Sequence, residues 1–108
     1  MALSDNRVVL AVWFAELKPL RISPAGVPVL ECLIAHESRQ MEGGVERTVS
    51  CEMRAVVVGE LAKVVVAAPP GAKAKVEGFL AARGLKNRTP VLHLNTVEFL
   101  EGTNHGIW

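Results

Sequence analysis

"GELAKVVVAAPPG", residues 59–71, divides the chain into two runs of strand signal. Leu61, Val64 and Val65 fall at helical spacing, Ala62, Ala67 and Ala68 favour a helix weakly, and Pro69, Pro70 and Gly71 stop it. The β-branched run Val64–Val66 also suits a strand, so periodicity alone leaves both readings open, with a short helical link the working expectation.

Upstream lie three strand runs. "NRVVLAVWFAEL" (6–17) sets Val8, Leu10, Val12 and Phe14 on one face and Val9, Ala11 and Trp13 on the other. Apolar residues on both faces predict burial on both sides. So short a chain hardly supplies that second cover itself, so a partner subunit over Val9, Ala11 and Trp13 is expected. "KPLRISPAGVP" (18–28) carries Pro19, Pro24, Gly26 and Pro28 and reads as a turn segment. "VLECLIAHESRQ" (29–40) and "RTVSCEMRAVVV" (47–58) form a hairpin across "MEGGVE" (41–46), whose glycines are free to take positive φ. Leu30, Cys32 and Ile34 form an inward row, as do Val49, Cys51, Met53 and Ala55; Thr48, Ser50, Glu52 and Arg54 form a wet one. Downstream, "AKAKVEGFLAA" (72–82) sets Ala74, Val76 and Leu80 against Lys73, Lys75, Glu77 and Phe79, with Gly78 marking a bend or bulge. "TPVLHLNTVEFLEG" (89–102) is the last strand, and "TNHGIW" shows no pattern.

Three strands, a helical link and two strands fit an all-β fold: a five-stranded Greek-key barrel of the OB type, or a five-stranded sandwich. With 108 residues, half of them hydrophobic, one domain over residues 1–108 is expected, with residues 1–5 and 103–108 as flexible tails. A net charge of +1 argues against attraction of the whole protein to a polyanion. No apolar run is long enough for a membrane span, and "MALSDNR" carries no secretory pattern, so a cytoplasmic protein is expected. Cys32 and Cys51 read as reduced core thiols. His36 and His93 read as half-buried strand histidines bonded locally, not metal ligands. A nucleophilic pair of Cys51 with His36 lacks an orienting group. No cofactor, metal or small-molecule substrate is expected, and no enzyme activity.

"NRVVL", "LRISPAGVP", "HESRQMEGGVERTVSCEM", "VEGFLA" and "VLHLNTVEFLEG" occur in one order and resemble the primosomal replication protein N (PriB) family, a single-OB-fold relative of bacterial single-stranded DNA-binding proteins. The resemblance spans Asn6 to about Gly102. It implies an OB fold, a homodimer using the first strand, and non-enzymatic binding of single-stranded DNA. It further implies a primosome component for replication restart that bridges the PriA helicase and the DnaT loader.

The resemblance gives a role to "AARGLKNRTPVLHL" (81–94), where Arg83, Lys86 and Arg88 occupy the loop between the last two strands. Residues 73–88 hold five cations and one anion, Glu77. Such a loop reaches over the nucleic-acid face of an OB fold and holds phosphates by releasing counterions. The same cluster reads without function as a solvated hairpin tip. Arg7, Arg21 and Arg47 match basic positions of the family motifs, and equally suit solvated strand ends. Arg54 and Lys75 face the wet side, as does Phe79, which stacks on a base or caps the barrel. The family's aromatics just before the strand-three cysteine and in the preceding turn are here Ser50 and Val45, and Glu37 replaces an expected cation. These departures predict weak, charge-carried, salt-sensitive DNA binding, and motivate a second reading: an OB-fold protein–protein adaptor with residual DNA affinity.

Overall fold

Alternation in the first run becomes β1 (Val8–Leu17), followed by β2 (Arg21–Ile22), β3 (Pro28–Glu42), β4 (Val45–Val58), α1 (Glu60–Val66), β5 (Lys73–Ala82) and β6 (Pro90–Phe99). The computed structural model describes residues 5–100; the expected tails fall almost entirely outside them. β1 is antiparallel to β5 over Val8–Trp13 and to β3 from Trp13 to Leu17. β3 pairs β4, β6 pairs β5, and β4 runs parallel to β6 with Ala55 opposite Leu92 and Val56 opposite His93. The ring β1–β5–β6–β4–β3–β1 is therefore closed, an OB-fold barrel of five strands with one short helix. Closure excludes the sandwich. β2 is an added two-residue strand bonded to β3, in a segment expected to be turn only. Arg21 and Ile22 fit there because the prolines flank them rather than interrupt them.

A register shift between Phe14 and Glu16 lets β1 pass from one neighbour to the next. Its inward residues Val12 and Phe14 join Leu30, Cys32, Ile34, Val57, Val76 and Leu92 in the core, with Val8 and Leu10 against its edge. The ambiguous link is helical, and closes one end of the barrel with Ala62 and Val65, both fully buried. Val64, expected to share the inward stripe, is 57% exposed. Spacing i, i+3 from Ala62 aims Val65 inward, and the adjacent position rotates out.

Gly78 is buried, and the ladder skips one residue of β6 beside it: Glu77 faces Thr96, but Gly78 faces Leu94. A Cβ built on Gly78 would overlap the carbonyl oxygen of His93 and lie 2.8 Å from its carbonyl carbon. The expected bulge is thus present, and close backbone approach is why glycine occupies the site. Leu80, expected inward, is 36% exposed. It sits past the bulge at the rim, where Asn6 Nδ2 donates to its carbonyl (2.8 Å) and its amide donates to Asn6 Oδ1 (2.9 Å).

Beyond residue 36 the β3–β4 hairpin leaves the barrel and pairs only with itself, down to Glu42 opposite Val45. Gly43 and Gly44 take φ of 62° and 82°, as a two-residue type I′ connection requires. Where β1 and β3 part, His36 Nδ1 donates to the Ala11 carbonyl at 2.6 Å, and Nε2 shares a hydrogen bond with the Ser38 hydroxyl at 2.7 Å. A carbonyl only accepts, so Nδ1 carries a hydrogen here. The expected core row of β4 stops short, and Cys51, read as a core thiol, is exposed. Its alternation is correct, but at that point the inward side of the hairpin no longer has a barrel to face.

The two thiols should therefore separate in reactivity. Burial pushes the Cys32 thiol up to about 12. A disulfide reagent at pH 8 is expected to titrate one thiol per native chain rapidly, and the second only in denaturant. Two fast thiols would contradict the closed core. A second titration concerns Arg7, whose Nε donates to Glu77 at 2.7 Å. That hydrogen bond, then the opposite charge, holds the Glu77 carboxyl below its ordinary range. Its small contribution to stability is present above the unfolded-state pKa and lost as pH falls through the lower folded value. Arg7→Ala should return the Glu77 midpoint to the ordinary range in a carboxyl NMR titration.

Candidate nucleic-acid interface

Outward positions one register step from the core line up across four strands. Glu31 on β3 faces Val56 on β4, Val56 faces His93 on β6, and His93 faces Phe79 on β5. The Phe79 and His93 rings stack with centroids 5.1 Å apart and planes 7° from parallel. His93 thus has an aromatic partner, where a local hydrogen bond was expected. Its place follows from alternation with Leu92 and Leu94, both buried.

One groove lies on this row and a second adjoins it. One is lined by Arg21, Glu31, Val56, Arg83, Val91 and His93. The other is lined by Lys18, Arg54, Arg83, Asn87, Thr89 and Pro90, with Val91 again. Arg83 lines both. Arg21 Nη2 lies 3.4 Å and Arg83 Nη2 3.7 Å from the two oxygens of Glu31. Among the described residues, Lys18, Arg54, Lys86 and Arg88 have no carboxylate at ion-pair distance.

The loop carrying the cations is a hydrogen-bonded turn. Arg83 N donates to Thr89 O and Gly84 N to Asn87 O, each at 2.9 Å. Thr89 N donates to Asn87 Oδ1 at 3.0 Å, and Arg88 Nη1 to Gly84 O at 3.2 Å. Gly84, Asn87 and Thr89 are the residue types such a turn favours. Leu85 stands at the tip, 92% exposed, beside Lys86.

Of the residues singled out in the sequence, Arg21, Arg54 and Arg83 line these grooves, with Phe79 beside them and Lys86 and Arg88 on the adjoining loop. Arg47 and Lys75 stand apart. Arg47 lies out on the hairpin with Nη1 2.6 Å from Glu42 Oε1, seven residues and roughly 23 Å along β4 from Arg54. Lys75 lies opposite Ala11 on one side and Glu98 on the other, four residues and roughly 13 Å before Phe79. Val9, Ala11 and Trp13 share the outward face of β1. One chain leaves Val9 42% exposed, so the second burial expected of this strand is not made within it. Glu37 and Ser50 face each other on the hairpin, and Val45 is at its turn. Lys18, Glu31 and Asn87 were not singled out, and His93 was read only as a locally bonded strand histidine. Lys18 and Glu31 come together through a β3-edge contact, Lys18 N to Glu31 O at 3.0 Å, which no periodicity in the sequence encodes.

Comparison with known proteins agrees with this geometry. A family model described as "Another single-strand binding protein family" matches residues 6–96. The Replication restart protein PriB of Neisseria meningitidis serogroup A is 35% identical over 98 residues, covering 91% of this chain and 97% of that protein. A solved structure of PriB from Ralstonia solanacearum superposes with a TM-score of 0.80 at 32% identity, over 91% of this chain and all of the other. A deletion mutant of the single-stranded DNA binding protein from Thermus aquaticus gives a TM-score of 0.75 at 25% identity, over 90% of this chain and 51% of that one.

Proposed function

Because this chain belongs to the PriB family of replication restart proteins, within the single-strand binding proteins, we propose that it binds single-stranded DNA in replication restart. The observation that carries the reading is Arg83, which lines two grooves beside a stacked Phe79–His93 pair. A strand crossing there lays phosphates along Lys18, Arg54, Arg83, Lys86 and Arg88 and a base against the aromatic pair. Fluorescence anisotropy of a labelled ~30-nucleotide strand tests this over a range of salt. Four to five phosphate contacts give a log–log slope of about −3. Absence of binding at low salt would reject the reading.

On this reading the protein is a cytoplasmic primosome component that bridges the PriA helicase, DNA and the DnaT loader, with no cofactor and no reaction of its own. Family membership supports this assignment. It works as a homodimer through Val9, Ala11 and Trp13, an apolar outward row on β1. Trp13→Glu should halve the mass seen by sedimentation equilibrium. An unchanged mass would place the interface elsewhere.

A second reading, a protein–protein adaptor with weak DNA affinity, is favoured by the hairpin. Arg39 and Arg47 are paired there with Glu46 and Glu42, and Ser50 and Val45 offer no ring to a base. Binding that is negligible at low salt, with the helicase contact intact, would select it.

A further inference from the structure

A groove that holds phosphates has no evident use for an anion in its wall, yet Glu31 is there. Its side chain is 26% exposed, opposite Val56, and the nearest cation nitrogens stand at 3.4 and 3.7 Å. The first is at the outer limit of a hydrogen bond, and the second is beyond it. A carboxylate has about four acceptor positions and no donor. Glu31 therefore presents unused acceptor capacity to a groove whose other side is His93. Glu31, Val56 and His93 are successive cross-strand neighbours, so roughly 10 Å of sheet separates the ends of the row. That is about the width of one base lying over Val56.

We propose that Glu31 is a specificity-determining residue that accepts a hydrogen bond from the exocyclic amino group of a cytosine or adenine in this groove and disfavours thymine. Cytosine N4 and adenine N6 are donors, and Glu is a known acceptor for cytosine N4. Thymine turns two carbonyl oxygens toward the carboxylate, on either side of a single N–H. Arg21 and Arg83, at 3.4 and 3.7 Å from its two oxygens, flank the carboxylate while sharing their remaining donors with phosphates. The inference rests on the single-stranded DNA reading above and adds base preference to it.

The experiment compares labelled dC30 and dT30 at one salt concentration, for the native protein and for Glu31→Gln. The two pyrimidine strands differ little in self-stacking, so their ratio isolates the base edge. The native protein should bind dC30 about fivefold more tightly than dT30, the low end for a well-placed base-edge contact. Glu31→Gln should bring that ratio to about one, because an amide both donates and accepts. Equal native affinities, or a ratio that the variant leaves unchanged, would overturn the inference while DNA binding stands; in the latter case Glu31 is only a counter-charge. Failure of both strands to bind at low salt would overturn the DNA reading, and the inference with it. The native ratio decides the case even if the variant is unstable.

Discussion

Gly78→Ala should lower the melting temperature by about 15 °C or more, a loss of at least about 3 kcal/mol. The new methyl would overlap the His93 carbonyl oxygen and crowd its carbonyl carbon, which are backbone atoms that cannot rotate away. Relief would have to move β6 against β5 at the bulge, and β6 also carries the parallel pairs to β4 that close the barrel. Thermal unfolding followed by circular dichroism measures the effect. Gly44→Ala is the comparison, since its φ of 82° is unfavourable but its surroundings are open. That change should cost only about 1 kcal/mol. Equal losses at the two glycines would mean that the strands separate more easily at Gly78 than their register implies.

The triple change Arg83→Ala, Lys86→Ala, Arg88→Ala should weaken single-stranded DNA binding about 100-fold at low salt and flatten the log–log slope by about two units. Each single-strand phosphate contact contributes roughly 0.7 to the slope, and three contacts at about 1 kcal/mol each give the affinity loss. Folding should persist, because the turn is held by the amides of residues 83, 84 and 89 and by Asn87, which the change retains; the Arg88 bond to Gly84 and the partly exposed Arg83–Glu31 pair are lost. The same anisotropy titration applies. An unchanged slope would assign the cations to solvation and end the phosphate reading of this loop.

The barrel was legible because its signals are local. Alternation identified the strands, Gly43 and Gly44 the hairpin, Pro69 to Gly71 the end of the link, and Gly78 the bulge. Expectation and structure part where a local pattern is carried past the structure that gives it meaning. Cys51 keeps the parity of Ala55, but the core ends between them. Arg47 and Arg54 share a strand, yet lie seven residues apart, one out on the hairpin and one at the barrel. Lys75 and Phe79 share a face of β5 and both pair with β6, yet only Lys75 has β1 on its other side. The site was only partly legible for a related reason. A stack of Phe79 on His93, or a carboxylate of Glu31 between Arg21 and Arg83, is a fact of cross-strand register. Alternation tells which face a residue takes, not who stands beside it.

The parallel pairing of β4 with β6 also bears on how the molecule assembles. Its contacts join residues 55 and 56 to residues 92 and 93, far apart in the chain, whereas the β3–β4 hairpin is closed by a two-residue turn. Loop-closure entropy favours the hairpin as an early event and the seam as a late one. His93 and Val56 are themselves a pair of that seam. The row that joins Glu31 to Phe79 is therefore expected to form only once β6 docks on β4, later than the hairpin, and a chain halted before that docking would have no groove between its cations.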